Sequence, residues 1–452
     1  MSHRYGIQSA HVNEMEIVTG RGDLLTCSEE SNSELFEYAR GGLGQCGIIT
    51  SVTIPLVKAP KTICTHTLFY RAADGKSFLE DVKTFVESNQ IDMIHSFIKP
   101  CTEEIIGSII GADIFSASSS NFKAAIKEGE SNDGLVFFLE LGCYLWGDQV
   151  QDASSSMSVK KLLSNKSGCI NGEYFSEECD FQTYITKDPP VVETNKAHGS
   201  IPHPSFATII SEKHALALLN KHLDSSDRGD DSTNEILIMP IKSNVNLDSG
   251  HQVPMFPMPE DTELSYFILF LGSVVPEGTV TEAARSAEIT MSKIRAHHRE
   301  LYTLSNDLGG KRYSYDTITA EVKGEEAWKA HYGDETWKGL VSAKRKFDPD
   351  HILCPGVNMW KNSNAGVIVV EGPSTVDSMR KGKKKRLSRI SLTKLFVKKY
   401  PNFHQLPVSN FIASKSKRFW NFAKHKKIRL RRMGKKREEE STETTRYYQV
   451  IS

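Results

Sequence analysis

The chain has no long hydrophobic run and no apolar leader. No stretch of about 18 uncharged apolar residues occurs among its 452 residues, so the sequence predicts no membrane-spanning helix. Residues 1–18 lack an apolar block behind a basic start, which argues against a secretory signal peptide. Together these absences favour a cytoplasmic protein as the default expectation.

Cysteine pairs and internal repeats are also missing. The eight cysteines form no CxxC motif, and no solenoid or propeller period occurs. Because zinc knuckles need that close spacing, we expect no metal site, and we expect reduced, mostly buried thiols. With 39% apolar residues, the chain can form a sizeable core in more than one domain.

The formal net charge of zero hides an uneven distribution. Residues 379–452 hold 23 Lys and Arg against four Glu, so the rest of the chain is acidic. Residues 363–452 also lack the apolar periodicity of a core, which predicts a disordered basic tail. Three interpretations of residues 379–437 stay open: an anionic membrane surface, a nucleic-acid contact or nuclear address, and a solvated extension without a partner.

The first sixty residues predict a hairpin, a short helix and a strand. Two β-rich runs flank the turn at residues 19–22. Ser31 or Asn32 is expected to cap a helix over residues 33–40, which Gly41 ends. Apolar residues then alternate over residues 47–57, as they do in a strand. The chain therefore begins within a sheet.

From residue 61 onward, helices and strands alternate and predict an α+β domain. Helical periodicity marks residues 76–88, 214–223 and 281–301, and buried strands are predicted at residues 134–146, 235–242 and 264–273. Two polar stretches, residues 117–134 and 224–235, are expected to be a flexible loop and a surface loop.

Four glycines form the first candidate binding site: Gly41, Gly42, Gly44 and Gly47. Without a Cβ, glycine lets backbone N–H groups approach a pyrophosphate and tolerates positive φ. A Rossmann unit has a strand before its glycines and a helix after them, which is the opposite order. By spacing alone, a phosphate cradle and a tight packing turn both stay open.

Residues 16–60, EIVTGRGDLLTCSEESNSELFEYARGGLGQCGIITSVTIPLVKAP, resemble the later part of the FAD-binding domain of the vanillyl-alcohol oxidase superfamily, and within it the cytokinin dehydrogenases. Further blocks follow in family order at residues 180–210, 260–276 and 311–360. The resemblance implies part of a PCMH-type FAD domain (residues 1–60 and 346–362). It also implies a substrate domain (residues 61–345) with a mixed or antiparallel sheet covered by helices.

The resemblance also implies a cofactor, a reaction and site residues. FAD would take a hydride from a small cytokinin-like secondary amine, leaving an imine that hydrolyses to adenine and an aldehyde. Tyr313 matches the family tyrosine beside the flavin ring. The remaining cofactor-binding positions are the four glycines with Ile48 and Ile49, and the closing loop at Cys354, Pro355 and Gly356.

Three departures from the family pattern qualify that interpretation. The family's flavin-linking histidine, in a Gly-His-Ser loop, and its catalytic aspartate precede the point where this sequence starts, so we expect a chain shortened at its N-terminus and assign no catalytic residue. Val357 replaces a glutamine, and Gly199 and Ser205 replace tryptophans. The alternatives are a non-catalytic binding protein of this fold and an oxidoreductase of another branch with another substrate.

Other polar candidates have competing structural interpretations. Asp180 is a helix cap or an acid near the site, and His203 is part of a structural turn or a substrate contact. His297, His298 and His331 lack metal-ligand spacing on one helix face, so a solvated helix face is expected for them instead. Helix-end positions are predicted for Asp348 and Asp350, and core positions for Trp337, Phe347 and Trp360.

Overall fold

The structure is a computed structural model. It describes residues 2–132, 134–146, 153–164, 166, 168–186, 204–225, 235–242, 253–260, 262–272, 280–313, 324–353 and 359–360. Within these ranges no helix has both the length and the hydrophobicity needed to cross a bilayer. Several predictions lie outside the described residues: those for Gly199, His203, Cys354, Pro355, Gly356, Val357, most of the 224–235 loop and the basic tail.

The N-terminal elements form a three-stranded antiparallel sheet. Strand β1 (Glu14–Thr19) lies between β2 (Leu24–Cys27) and β3 (Gly47–Thr53), and helix α1 (Ser33–Ala39) joins β2 to β3. The predicted hairpin and helix are thus confirmed. Asn32 precedes α1 with φ 48°, but its side-chain amide donates to the Thr26 carbonyl (2.8 Å) instead of capping the helix.

A second, larger sheet has eight strands, and all its neighbouring strands are antiparallel. Its order is β11-β8-β10-β9-β5-β6-β4-β7. In chain order the strands are β4 (Thr62–Arg71), β5 (Met93–Pro100), β6 (Leu135–Leu145), β7 (Tyr174–Asp180), β8 (Ser205–Ser211), β9 (Glu235–Lys242), β10 (Leu264–Leu271) and β11 (Lys311–Arg312). The predicted α+β class is confirmed. Of the two predicted sheet types, mixed and antiparallel, the large sheet is antiparallel.

Helices cover this sheet. The largest core lies between its strands and three helices whose inner faces are apolar: α2 (Gly75–Ser88), α8 (Glu212–Leu223) and α9 (Val280–Asp307). Helix α6 (Ala153–Ser164) joins the same core, whereas α3 (Glu103–Ile110), α4 (Ala112–Ala117) and α7 (Phe181–Thr186) pack against the alternate residues of the strands, on the opposite face of the sheet.

The loop predicted at residues 117–134 is wrong, because most of it is helix α5 (Ser120–Ser131). The Ser119 hydroxyl accepts the Phe122 N–H at 3.1 Å and so caps the first turn. Phe122 and Ile126 lie four residues apart and are fully buried in one cluster with Phe69 of β4. Two apolar residues at helical spacing are enough to anchor this otherwise polar helix, because the Ser119 cap fixes where the helix begins.

The solvated face predicted for His297 and His298 is also wrong: each is only 3% exposed. Helix α9 packs against both α8 and β8, so two adjacent side chains that point in different directions are both covered. His222 Nδ1 of α8 lies 2.9 Å from His297 Nε2, at hydrogen-bond distance. The ring of His298 lies 6.4 Å from that of Phe206.

Two C-terminal helices return to the small sheet. Helices α10 (Glu325–Tyr332) and α11 (Asp334–Phe347) share a core with β1 and α1. Trp337 and Phe347 are buried, and Trp360 stacks on Trp337 with ring centroids 5.1 Å apart, which confirms the three predicted core positions.

A buried ion pair fixes the end of α11. Lys344 Nζ lies 2.5 Å from Asp348 Oδ2 and donates to the backbone carbonyls of Gln45 (2.9 Å) and Leu353 (3.2 Å). Trp360 Nε1 donates to Gln45 Oε1 at 2.8 Å. Gln45 of the glycine loop therefore accepts two hydrogen bonds from the C-terminal part of the chain, one from Lys344 and one from Trp360.

Candidate functional site

A cavity of about 300 Å³ lies where the N-terminal segment, the glycine loop and the end of the large sheet meet. It brings together Gly41 and Tyr313, two of the predicted cofactor-binding residues from opposite ends of the chain. Residues 7–9, 255–257, 312 and 331–332 complete most of its wall. A more open groove of about 700 Å³ between α10 and α11 contains none of the predicted site residues.

The glycine loop needs glycine for two physical reasons. Gly41 (φ 78°) and Gly44 (φ 70°) have positive φ, which side chains with a Cβ adopt only with strain. A Cβ at Gly41 would lie 3.3 Å from the Met255 carbonyl oxygen, and one at Gly42 only 1.9 Å from the Tyr38 carbonyl oxygen. Gly41 is exposed and lines the cavity, whereas Gly42 is buried and Gly44 is half-buried, and neither lines it. The exposed backbone that a phosphate cradle requires is therefore at Gly41.

Three other predicted cofactor-binding residues, Gly47, Ile48 and Ile49, lie on β3 and do not line the cavity. A Cβ at Gly47 would lie 2.1 Å from Ile17 Cγ2, so close strand packing explains that glycine. Ile48 and Ile49 are 55% and 43% exposed on β3, which is an edge strand, and neither lines the cavity. A role for Gly47, Ile48 and Ile49 in cofactor binding remains a prediction.

Tyr313 is held rigidly at the cavity. Its N–H donates to the Ala207 carbonyl at 2.9 Å. Its ring meets those of Phe267 and Phe256 edge to face, at centroid distances of 5.1 and 5.8 Å. An aromatic ring fixed in this way offers a flat wall to a bound ring.

Arg312 and His331 line the same cavity, and the sequence reasoning missed both as site residues. The Arg312 guanidinium lies over the Trp328 ring at 4.5 Å from its centroid and is buried. Burial, and then the charges of Arg312 and Lys311, lower the pKa of His331 to about 3, so this histidine is neutral at physiological pH. The one available signal was that Arg312 directly precedes Tyr313.

The N-terminal segment closes one side of the cavity. Arg4 forms a salt bridge with Asp92 and donates to the Asn89 carbonyl at 2.6 Å. His3 Nε2 lies 3.0 Å from the Ile91 carbonyl oxygen. These contacts fix the segment to the loop before β5, so that residues 7–9 lie along the cavity wall.

Two further predictions concern acidic and metal-binding groups. Asp180 Oδ1 accepts the Thr183 N–H at 3.0 Å, which confirms the interpretation of Asp180 as the cap of α7. Asp348 lies at the end of α11, where it accepts the N–H groups of Ile352 and Leu353. Among the residues that the structure describes, no group of three His, Cys, Asp or Glu is arranged for a metal ion.

The site residues fit the ring end of a flavin. Small-molecule pockets span about 300 to 1,000 Å³, so this cavity admits one flat ring system rather than a whole dinucleotide. Tyr313 would face such a ring, and the open backbone at Gly41 would take the phosphates outside the cavity. The shape and the wall residues are therefore compatible with FAD.

The fold defines a class of protein. The structure resembles xylooligosaccharide oxidase from Myceliophthora thermophila C1, with a TM-score of 0.50 and 12% identity over 77% of this chain and 66% of that one. At this identity the likeness concerns the fold alone. The chain therefore shares the fold of that oxidase.

The family follows from the sequence matches. A family model described as "Cytokinin dehydrogenase 1, FAD and cytokinin binding" matches residues 60–360, two thirds of the chain. The chain therefore belongs to the cytokinin dehydrogenase family, and FAD is confirmed as its cofactor class.

The chain is also similar to individual cytokinin dehydrogenases of plants. It is 28% identical to cytokinin dehydrogenase 9 of Oryza sativa subsp. japonica over 375 residues, covering 80% of this chain and 64% of the rice protein. Cytokinin dehydrogenase 1 of Arabidopsis thaliana is 26% identical over 371 residues, covering 80% of this chain and 58% of that protein. The chain thus spans less than two thirds of the length of either relative.

Proposed function

We propose that the chain belongs to an FAD-dependent oxidoreductase that oxidises an N6-substituted adenine to an imine, which water then splits into adenine and an aldehyde. The observation that carries the proposal is the meeting of Gly41 and Tyr313 at one ring-sized cavity, mostly within the region that matches the family model. FAD, when bound, supplies the hydride acceptor.

The chain's own residues orient the reactants in this proposal. Tyr313 provides a fixed flat wall, and the exposed backbone of Gly41 in the cavity wall is open to the cofactor's phosphates. Neutral His331 can accept a hydrogen bond but is too weak a base to hold the amine proton near pH 7. The described lining residues include no carboxylate, so the proton acceptor has to lie outside this set.

The lack of a carboxylate among the described lining residues favours a second candidate, a non-catalytic binding protein of the same fold. It would hold an adenine-like ligand in the ring-sized cavity, where the first candidate holds the flavin ring, and would not oxidise it. The two candidates therefore differ in whether FAD is bound and reduced.

One titration separates them. The purified full chain is supplied with FAD, freed of excess cofactor, and titrated without oxygen with N6-isopentenyladenine while flavin absorbance is recorded. Bleaching followed by reduction of an added dye supports the oxidoreductase, and binding without bleaching supports the second candidate. A chain that retains neither FAD nor the adenine contradicts both.

A matched glycine pair tests the cavity itself. Gly41 and Gly22 have almost the same φ, 78° and 81°, so alanine strains both backbones equally. Only at Gly41 does the new Cβ meet another atom, the carbonyl oxygen of Met255, which also lines the cavity. We expect Gly41→Ala to weaken FAD retention by about tenfold, a change of about 1.4 kcal/mol, and Gly22→Ala to leave it unchanged.

A further inference from the structure

We propose that Cys64 and Cys143 form a dithiol site on the large sheet, which a small-molecule disulfide of the glutathione type oxidises to an intramolecular disulfide. Neither residue lines the ring-sized cavity, and the site does not depend on the proposed function. The site would be a reversible modification site.

The cysteines of this chain differ in burial. Seven of the eight lie among the described residues, all as free thiols. Four of these are at most 4% exposed, as is usual for cysteines that act as small apolar residues: Cys27, Cys46, Cys101 and Cys169. The other three are half-buried and lie on the neighbouring strands β6, β4 and β7: Cys143, Cys64 and Cys179. Among the described cysteines, these three are therefore the ones that a dissolved reagent can reach.

The register of the sheet brings two of the three together. Cys64 of β4 lies directly opposite Cys143 of the antiparallel strand β6. Directly opposed residues point to the same face of a sheet, with Cβ atoms about 4.5–5.5 Å apart. In disulfides the Cβ atoms lie about 3.5–4.5 Å apart, so a small approach of the two strands brings the sulfurs within bonding range. Cys179 lies opposite Ile63 instead, so its side chain points to the other face.

The groups around the pair determine which thiol reacts first. Burial raises the pKa of Cys143 to about 12. Burial, and then Glu178, also raise the pKa of Cys64, but the cation of Lys160 acts against them. His66 Nε2 lies 3.8 Å from Cys64 Sγ, and burial lowers the pKa of His66, so its neutral ring can take the thiol proton. Cys64 is therefore the first nucleophile, and the scarcity of thiolate makes the reaction slow.

The reaction consists of two thiol–disulfide exchanges. The Cys64 thiolate attacks one sulfur of oxidised glutathione, the S–S bond of that molecule breaks, and one glutathione leaves and takes up a proton. The Cys143 thiolate then attacks Cys64 Sγ, and the second glutathione leaves in the same way. Two protein thiols are thus oxidised to one disulfide, and one glutathione disulfide is reduced to two thiols.

The new bond joins β4 to β6 where the N-terminal segment is attached. The Gly142 carbonyl accepts the Asp92 N–H at 2.8 Å, and the Tyr144 N–H donates to the Asp92 carboxylate at 2.7 Å. Asp92 in turn forms the salt bridge with Arg4. Because the bond closes residues 64–143 into a loop, it restricts the unfolded chain more than the folded one and stabilises the fold.

Incubation of the purified full chain with excess oxidised glutathione, at mildly alkaline pH, tests the site. Peptide mapping of the oxidised chain is expected to show residues 64 and 143 in one cross-linked peptide pair that carries no glutathione. Dithiothreitol should restore both thiols. The urea midpoint of unfolding should be higher for the oxidised chain than for the reduced chain.

Three serine variants assign the bond to this pair. Cys143→Ser is expected to stop at a glutathione adduct of Cys64, and Cys64→Ser to form no cross-link. Cys179→Ser is the matched control, because this cysteine is also half-buried but faces away from the pair. It should form the bond, and gain in urea midpoint, as the unaltered chain does. The midpoints of the reduced variants verify that each one folds.

Three outcomes overturn the proposal. The first is a folded, unaltered chain whose residues 64 and 143 stay unlinked after prolonged incubation. The second is a chain in which either residue is linked to Cys179 instead. The third is a bond between residues 64 and 143 that forms only in urea, since the folded register would then not bring the two sulfurs together.

Discussion

At the scale of single residues, the ion pair of Lys344 and Asp348 concentrates several polar interactions beside the small sheet. Both side chains are at most 1% exposed, and the ammonium group has three oxygen partners. A buried charge that loses its partner is far more costly than a surface charge, because water cannot replace the lost contacts.

We therefore expect Lys344→Met to lower the free energy of unfolding by about 3–5 kcal/mol, since it leaves Asp348 charged and buried. Lys346→Met is the control, because the Lys346–Glu34 pair is exposed and such pairs contribute about 0–1 kcal/mol. Urea unfolding of both variants measures the difference. A loss below about 1 kcal/mol for Lys344→Met would contradict the structural role of the pair.

Gly339 illustrates how close α11 lies to α1. A Cβ at this position would lie 1.7 Å from Tyr38 Oη and 2.2 Å from its ring carbon Cζ. We expect Gly339→Ala to destabilise the fold by about 1–3 kcal/mol, the usual cost of overpacking. Gly107→Ala in α3 has open space and should instead stabilise by about 0.5–1 kcal/mol. Thermal unfolding compares them, and equal effects would refute the close contact.

At the scale of elements, the packing of α9 makes stability depend on pH. Burial, and then the neighbouring His297, lower the pKa of His298 to about 3, well below its unfolded value near 6.5. The unfolded chain consequently binds more protons between these two pH values, so stability decreases as the pH falls below 6.5. His3 and His95, whose pKa values burial lowers to about 4, change stability in the same direction.

For His298 alone, we expect a loss of about 2 kcal/mol between pH 6.5 and pH 5. Chemical unfolding of the unaltered chain and of His298→Gln at several pH values measures it. The variant should show a shallower dependence on pH, because glutamine does not titrate. Identical slopes would show that His298 is solvated in the folded state.

Strand β3 leaves one edge of the small sheet uncovered among the described residues. Ile48, Ile49 and Val52 are 39–55% exposed on this strand, and exposed apolar edge strands tend to pair with other chains. We expect Ile49→Lys to reduce concentration-dependent light scattering. Ile114→Lys, which alters an exposed isoleucine of α4, should reduce it much less. Equal effects would mean that the edge is not the site of association.

At the scale of the whole molecule, local patterns predicted local structure well. The apolar spacing of Phe78, Val82 and Phe85 predicted α2, and two β-rich runs around the turn at residues 19–22 predicted the first hairpin. The failures occurred where distant segments decide burial. Neighbouring elements cover His297 and His298 on two sides, and a single serine cap turns a polar stretch into α5.

Predictions of the candidate site failed for the same reason, because residues that are distant in the sequence meet there. The resemblance singled out Gly41 and Tyr313, and the structure brings both to one cavity. Arg312 was missed because its neighbours in space, Trp328 and His331, come from a helix that follows later in the chain. No spacing rule within a short window relates these residues, so the charge of the cavity could not be predicted from the motifs.

The described cavity wall comes from chain segments that meet only after folding: residues 7–9, 41 and 43, 209, 255–257, 312–313 and 331–332. An unfolded chain has no equivalent site, so any true ligand binds the native state alone and shifts the unfolding equilibrium. At a hundredfold excess over its dissociation constant, such a ligand adds about 2.7 kcal/mol to the free energy of unfolding. A rise in melting temperature across a panel of ring compounds would therefore identify the physiological ligand class without requiring turnover.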